Sequence, residues 1–525
     1  MNTITKNAAG GKAIRKSKEN ALATMVCTGT QNGVFYADAD KITTVMKALA
    51  HQVSPEDLGK ILVYGRKKGH MKGHMKGHMK DLPALGLAIL ATKDSKLFRK
   101  VAPHILDNSK MLRNFVKYMR DGSVGRKSLG HAAKKAVQRW FDEKDAKGLF
   151  YNSIGNDPSL ADVIRLAHPK PKTKEAENMF AYILGREYKN DLLPDNVQEY
   201  ESYKQADRPG GREVPNVPFQ MLDSLGLDKA GWIQIAERAS WQQTRMLLNT
   251  FVRHGVFESH AGMEKIISDR LRNRDLIAKS RVFPYQLLVA FKNAEGVPQS
   301  VLLALQDALD IACENVPKID GKVFIFPDVS GSMRSPVTGY RYGGQRSSTV
   351  RCVDVAALFA AALLKKNPEA IVRPFDTKVH RPKLNPRDSV MTLADKLARY
   401  GGGGTNCSLA MQELNREVAK DTSAVVYISD SESWADVQGR SRNRYWGEPA
   451  GTNLMEEWNK FKGRNQEAKL VCMDMQPYTT SQADENRRDI LLVGGFSDRV
   501  FDVVADYVKY GERNWIDIIR QEIDL

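Results

Sequence analysis

Cysteine is scarce and scattered in this sequence: five in 525 residues, at Cys27, Cys313, Cys352, Cys407 and Cys472, with no CxxC pair. An odd, dispersed set excludes a disulfide framework and a cysteine-built zinc site. It fits a reduced, cytoplasmic setting in which each thiol is a small core residue. Long apolar runs are missing too. The two longest, Leu82–Ala91 and Val353–Leu364, fall short of the roughly 20 residues a membrane span needs, so both are expected as buried helices and no membrane partner is expected. The basic N-terminus, MNTITKNAAGGKAIRKSKEN, has no apolar stretch after it, which argues against a secretory signal. There is no GxxxxGK[ST] phosphate loop, and spacing suggests no Ser-His-Asp or Cys-His set.

What the chain does have is positive charge, unevenly placed. Its 79 Lys and Arg outnumber 62 Asp and Glu, for a net +17. Residues 321–525 hold 29 basic and 27 acidic residues, whereas residues 1–320 hold 50 and 35. An excess confined to the first part points to a polyanionic partner there, most simply nucleic acid. The length exceeds one ordinary core, so two or more domains are expected.

Residues 1–20 are polar and basic and read as a disordered tail. From about Asp40 to Cys313 apolar residues recur at three and four, as in Ile42, Val45, Met46, Leu49 and in Ala132, Ala136, Val137, Trp140. Many amphipathic helices joined by short turns suggest stacked helix pairs in an α-solenoid. The GHMKGHMKGHMK repeat at 69–80 puts His70, His74 and His78 four apart. Its glycines share that spacing and each costs about 1 kcal/mol of helix propensity, so it reads as a flexible-loop expansion.

Near residues 314–321 the pattern changes to strands alternating with helices. Strands are expected at Lys322–Phe326, Ala370–Phe375, Ala424–Ser429, Leu470–Met475 and Ile490–Val493. This alternation implies a mostly parallel sheet with its sites at the carboxyl ends of the strands. Three segments bring oxygen donors there: Asp328-Val329-Ser330-Gly331-Ser332, Gly401-Gly402-Gly403-Gly404-Thr405, and Asp430. Two carboxylates and three hydroxyls, with no His or Cys, suit one divalent cation, Mg²⁺ first and Mn²⁺ second. Asp376 and His380 lie beyond a different strand and read as surface groups. A phosphatase of the haloacid-dehalogenase type needs a second acid two residues after Asp328, where Ser330 stands, so a hydrolase is the least favoured class.

The DxSxS…T…D arrangement resembles the metal-ion-dependent adhesion site of von Willebrand factor A domains. That resemblance makes Asp328, Ser330, Ser332, Thr405 and Asp430 the ligands, some through water. The helical part resembles the TROVE module of the Ro autoantigen family in three stretches. They are Gly125-Arg126 with the helix through Ala136-Val137 and Trp140-Phe141; Asp162-Val163-Ile164-Arg165-Leu166-Ala167-His168-Pro169-Lys170-Pro171; and Ser280-Arg281-Val282-Phe283-Pro284, with Phe283 in place of the family's histidine. The resemblance spans about residues 20–525. It implies a mainly α, HEAT-like solenoid (21–318) closed into a ring by an α/β, Rossmann-like A domain (319–525).

By the same resemblance the partners are a small noncoding Y-like RNA on the basic surface and single-stranded 3′ ends of misfolded RNAs in a central hole. An exoribonuclease or RNA-repair protein would be a companion, and DNA would not be a ligand. His168 and Lys170 fall where the family contacts RNA, with Arg126, Lys127, Lys134 and Lys135 as a basic patch beside them. Two departures stand out: residues 149–158 carry no basic residue, and Gly339–Ser348 is an insertion beside the metal loop. The expectation is a non-enzymatic RNA-binding protein. The alternative is a metal-dependent protein-adhesion scaffold whose basic helices only pack or dock.

Overall fold

Continuous apolar runs become the strands of one parallel sheet. A computed structural model of the chain describes residues 4–66, 81–205, 213–259, 262–280, 282, 284–314, 316–435, 454–495, 499–511 and 513–525. The GHMK repeat, Arg281 and Phe283 lie outside the described residues. The strands are β1 (Ile4–Lys6), β2 (Lys12–Arg15), β3 (Lys322–Pro327), β4 (Ile371–Val372), β5 (Thr422–Ser429), β6 (Lys469–Asp474), β7 (Thr480–Ser481) and β8 (Ile490–Gly494). Strands β4-β3-β5-β6-β8 form a five-stranded sheet, parallel throughout. The register pairs Pro327 with Ile428 and Ser429 with Asp474. Asp328, Asp430 and Asp474 therefore all come to the carboxyl edge.

The chain divides into two units: Met1–Leu82 with Ile277–Asn293 and Leu305–Asp524, and Pro83–Leu276 with Ala294–Ala304 and Leu525. This differs from a division at 318/319, because the N-terminal residues pack with the sheet. The expected disordered tail is likewise corrected over residues 4–20. β1 pairs with β2, and β2 pairs with β7, with Ile14 opposite Ser481. Ser17 then caps the helix Lys18–Thr28 by accepting the Asn20 N–H. That helix is buried from Asn20 to Thr28 and lies against β8, where Thr24 and Thr28 meet Gly494.

Beneath the sheet, Phe324, Phe326, Tyr427, Trp458 and Phe461 share one apolar core. The Trp458 indole N–H reaches Asp489 Oδ2 at 2.9 Å, so the largest ring is buried without an orphaned donor. The helix Cys352–Lys366 is buried without a break from Cys352 to Leu364. All five cysteines are buried and none is in a disulfide, as a core role requires.

The second unit is helix on helix. Its helices include Ser95–Ile105, Ser109–Arg120, Gly130–Asp142, Ala146–Asn152 and Leu160–Ala167. Short polar side chains start them: Asp94, Asn108, Asp145 and Ser159 each accept a first-turn N–H, and Ser159 with Asp162 makes a full capping box. His168 ends the last of these in the left-handed conformation, φ 47°. Among the described residues no helix is long and apolar enough to cross a membrane.

Candidate functional site

The metal-type motif is knit together at the carboxyl edge of β3 and β5. The Ser330 N–H donates to Asp328 Oδ1 at 2.8 Å, and the Ser429 hydroxyl donates to Asp328 Oδ2 at 2.5 Å. The hydroxyl oxygens of Ser330 and Ser332 lie 3.3 Å apart. The tetraglycine loop docks on this turn: the Gly331 N–H donates to the Gly403 carbonyl at 2.9 Å, and the Gly402 N–H to the Val329 carbonyl at 2.8 Å. A side chain at Gly401 (φ +77°) would put its Cβ 2.3 Å from the Val329 oxygen, and one at Gly404 would strike the Trp434 ring. The glycines are there because two backbones and an indole close over them. Thr405 is fixed at the next position, its carbonyl accepting the N–H groups of Trp434 and Ala435.

All five motif residues are buried. Burial, and then the neighbouring Asp430 charge, push the Asp328 carboxyl up to about 7 against the hydrogen bonds from Ser429 and Ser330. Burial also raises Asp430, opposed by the Ser332 hydroxyl and the Glu432 N–H. Asp430 Oδ2 is buried with no hydrogen-bond partner among the described residues. Two buried carboxylates, one with an oxygen left over, among three hydroxyls are the environment a hard divalent cation would satisfy. Asp328, Ser330, Ser332, Thr405 and Asp430 could hold it. Among the described residues no group of three or more His, Cys, Asp or Glu is placed to hold an ion, so a zinc-type site is not offered there.

Several residues around this site carried no local signal. Asp376 is buried, which corrects its reading as a surface group. Its Oδ2 accepts the Gly403 N–H at 3.1 Å, and its Oδ1 meets His380 Nε2 at 3.1 Å. The N-terminal hairpin braces the opposite side. Glu432 Oε2 accepts the Ala8 and Ala9 N–H groups, Oε1 accepts the Thr480 hydroxyl, and the Asn7 amide donates to the Ser433 carbonyl at 2.7 Å. Lys16 Nζ lies 2.8 Å from Asp474 Oδ2, and Asp474 Oδ1 accepts the Ser431 hydroxyl. The loop at Gly33 exchanges two backbone hydrogen bonds with Tyr340 of the insertion. Tyr36, three residues on, has its phenol pushed up to about 12, first by burial and then by the charges of Asp430 and Glu432.

The basic candidates lie in the helical unit. Arg126, Lys127, Lys135, His168 and Lys170 are exposed and Lys134 is partly so. The guanidinium of Arg126 sits over Gly130, at the start of the helix that carries Lys134 and Lys135. One turn past Lys134, the Gln138 amide donates to the carbonyls of Ala167 and His168 at 2.9 and 3.3 Å. That tie brings the end of the signature helix against the lysine-bearing one. None of these six has a carboxylate partner among the described residues. The stretch 149–158, without basic residues of its own, has cations under it. Arg113 packs beneath Gly155, and Lys117 pairs with Asp157 at 2.5 Å.

Comparison with known proteins agrees with both halves. Residues 322–508 match the model of the Ro60 vWA domain. The RNA-binding protein RO60 of Deinococcus radiodurans is 23% identical, over 96% of this chain and 95% of that protein. The protein of the same name from Caenorhabditis elegans is 25% identical over 46% of this chain and 36% of its own length. The crystal structure of the Deinococcus radiodurans RO (RSR) protein superposes with a TM-score of 0.60 at 18% identity, over 94% of this chain and 100% of that one. Residues 322–508 thus match a vWA domain of the Ro60 type, and the chain over most of its length is similar in sequence and fold to RO60 proteins.

Proposed function

We propose that this chain is a cytoplasmic, non-enzymatic RNA-binding protein that holds a small noncoding Y-like RNA by its phosphates on the basic helical unit. Single-stranded 3′ ends of misfolded RNAs are its second ligand, and its work is RNA quality control or maturation beside a nuclease or RNA-repair partner. The observation that carries this reading is the group of exposed and partly exposed cations, without carboxylate partners among the described residues, at the start of the helix Gly130–Asp142 and the end of the helix Leu160–Ala167. Charge left unpaired on one surface suits a phosphate backbone, with little sequence read. The names of the relatives, RNA-binding proteins, support it. The test is the affinity of the intact chain for a structured RNA between about 50 and 200 mM salt, where phosphate contacts make log K fall steeply and linearly with log salt. A flat response overturns the reading.

In the A domain, Asp328, Ser330, Ser332, Thr405 and Asp430 would hold one Mg²⁺, or Mn²⁺ in its place. A bound ion there supplies a positive centre for a water or a partner's carboxylate. Asp328→Ala is expected to abolish Mn²⁺ binding read by electron paramagnetic resonance while leaving RNA affinity within about twofold, because the cations named above belong to the other unit. Unchanged Mn²⁺ binding would remove the site. The same variant losing a captured protein partner, with RNA binding intact, would place the adhesion role in the A domain.

A further inference from the structure

A cleft of about 190 Å³ opens between the helices Ser95–Ile105 and Gly130–Asp142, with Lys135 of the basic patch among its lining residues. Its walls are Ala102, Pro103, Leu106, Ala132 and Ala136, with Trp140 lining it as well. Two features of the backbone and side chains here leave hydrogen-bonding capacity beside the slot. Trp140 is 3% exposed, and its indole N–H is buried with no acceptor among the described residues. Pro103 sits inside its helix and has no N–H, so the carbonyl four residues earlier, that of Arg99, loses its usual donor. At the mouth stand Arg99 and Lys135, both exposed and without a carboxylate partner among the described residues. Arg139 and Glu143, also at the rim, neutralise each other at 3.0 Å.

An apolar slot with one buried, unpartnered donor, between two cations without carboxylate partners among the described residues, has the chemistry of a nucleotide turned out of its stack. A cavity of about 150 Å³ holds a benzene ring, so this one admits a single base and not a stacked pair. We propose that the cleft is a base-binding pocket for one unstacked RNA nucleotide. In it the base lies against Ala102, Leu106 and Ala136, its edge takes the Trp140 N–H, and Arg99 and Lys135 hold the flanking phosphates. Single-stranded RNA is typically read in this way, by bases splayed from the backbone into side-chain pockets. The inference rests on the RNA-binding reading above and adds to it a site for a base rather than for phosphate.

The test compares octauridine with an abasic octamer of the same ribose phosphates, by fluorescence anisotropy on the full chain. Wild type is expected to bind octauridine roughly tenfold more tightly than the abasic chain. Ala136→Phe, which fills the slot and changes no charge, should bring the two within about twofold without moving abasic affinity or its salt slope. Equal binding of both octamers by wild type, or an undiminished preference in Ala136→Phe, overturns the pocket and leaves the RNA-binding reading standing. Binding of neither octamer, together with no binding of structured RNA, overturns both. Competition by uridine monophosphate at the octamer's own concentration would make this a mononucleotide site and also overturns the proposal. If Ala136→Phe fails to fold, photocross-linking of 4-thiouridine octamer to wild type decides. Adducts within 95–106 or 132–143 support the pocket, and adducts elsewhere reject it.

Discussion

Replacing Lys16 with methionine is expected to destabilise the A-domain unit by about 3–5 kcal/mol, the usual cost of removing one partner from a buried ion pair. The side chains of Lys16 and Asp474 are 0% and 2% exposed. The ammonium also donates to the Tyr478 carbonyl at 3.0 Å. Methionine preserves most of the volume and leaves the Asp474 carboxylate without its cation in a medium that solvates it poorly. Urea denaturation followed by circular dichroism should show a lower midpoint with an unchanged slope. Restoring neutrality with Asp474→Asn in the same chain should recover much of the loss, since asparagine can still accept the Ser431 hydroxyl. A loss below about 1 kcal/mol, the range of exposed pairs, would show that the pair contributes no more than a surface contact.

Charge reversal at Lys134 and Lys135 is expected to weaken structured-RNA binding by tenfold or more at about 100 mM salt and to reduce the log–log salt slope by about 2. Each substitution removes one phosphate contact and places a carboxylate where an anion should lie. The two residues occupy the exposed and half-exposed flanks of a helix whose buried side is Ala133, Val137, Trp140 and Phe141. The fold should therefore tolerate the change, and a thermal melt checks that it does. The same reversal at Lys383 and Arg387, exposed residues of the other unit, is the control and should leave the slope in place. If both pairs act alike, the effect is net charge alone and the assigned surface is wrong.

Much of the A domain was legible because its signals are local. Ala424–Ile428 and Leu470–Met473 are continuous apolar runs within their strands, as central parallel strands must be. Their ends were read to within two residues. The cluster of oxygen-bearing side chains at the strand ends was legible because each segment follows a strand or a glycine run. Asp376 was not, since its role is to hold the Gly403 N–H, a contact made only when two distant loops meet. β4 is shorter than expected, two residues instead of six, yet the chain stays beside β3: the Arg373 N–H donates to the Ile325 carbonyl, the Phe375 N–H to the Pro327 carbonyl, and Asp328 and Phe375 form a single bridge.

The N-terminal segment was misread for a different reason. Its strands are three and four residues long, and their register is set by Thr480 and Ser481, far away in the chain. The helix Lys18–Thr28 is enclosed on all sides, so it shows no polar face and no helical period. In the helical unit the periodicity gave the helices. The pairing of one helix end with the next, through Gln138, lay in side-chain geometry that spacing does not encode.

The ribosome releases the hairpin and its helix long before the sheet they complete exists. Until β6, β7 and β8 emerge, Lys16 has no counter-ion and the enclosed helix Lys18–Thr28 has no wall to rest on, so maturation of the A domain waits for an early segment to be retrieved by a late one. A fragment begun at residue 319 would expose the oily bed of that helix, and a bulky fusion at the start of the chain would compete for the same retrieval.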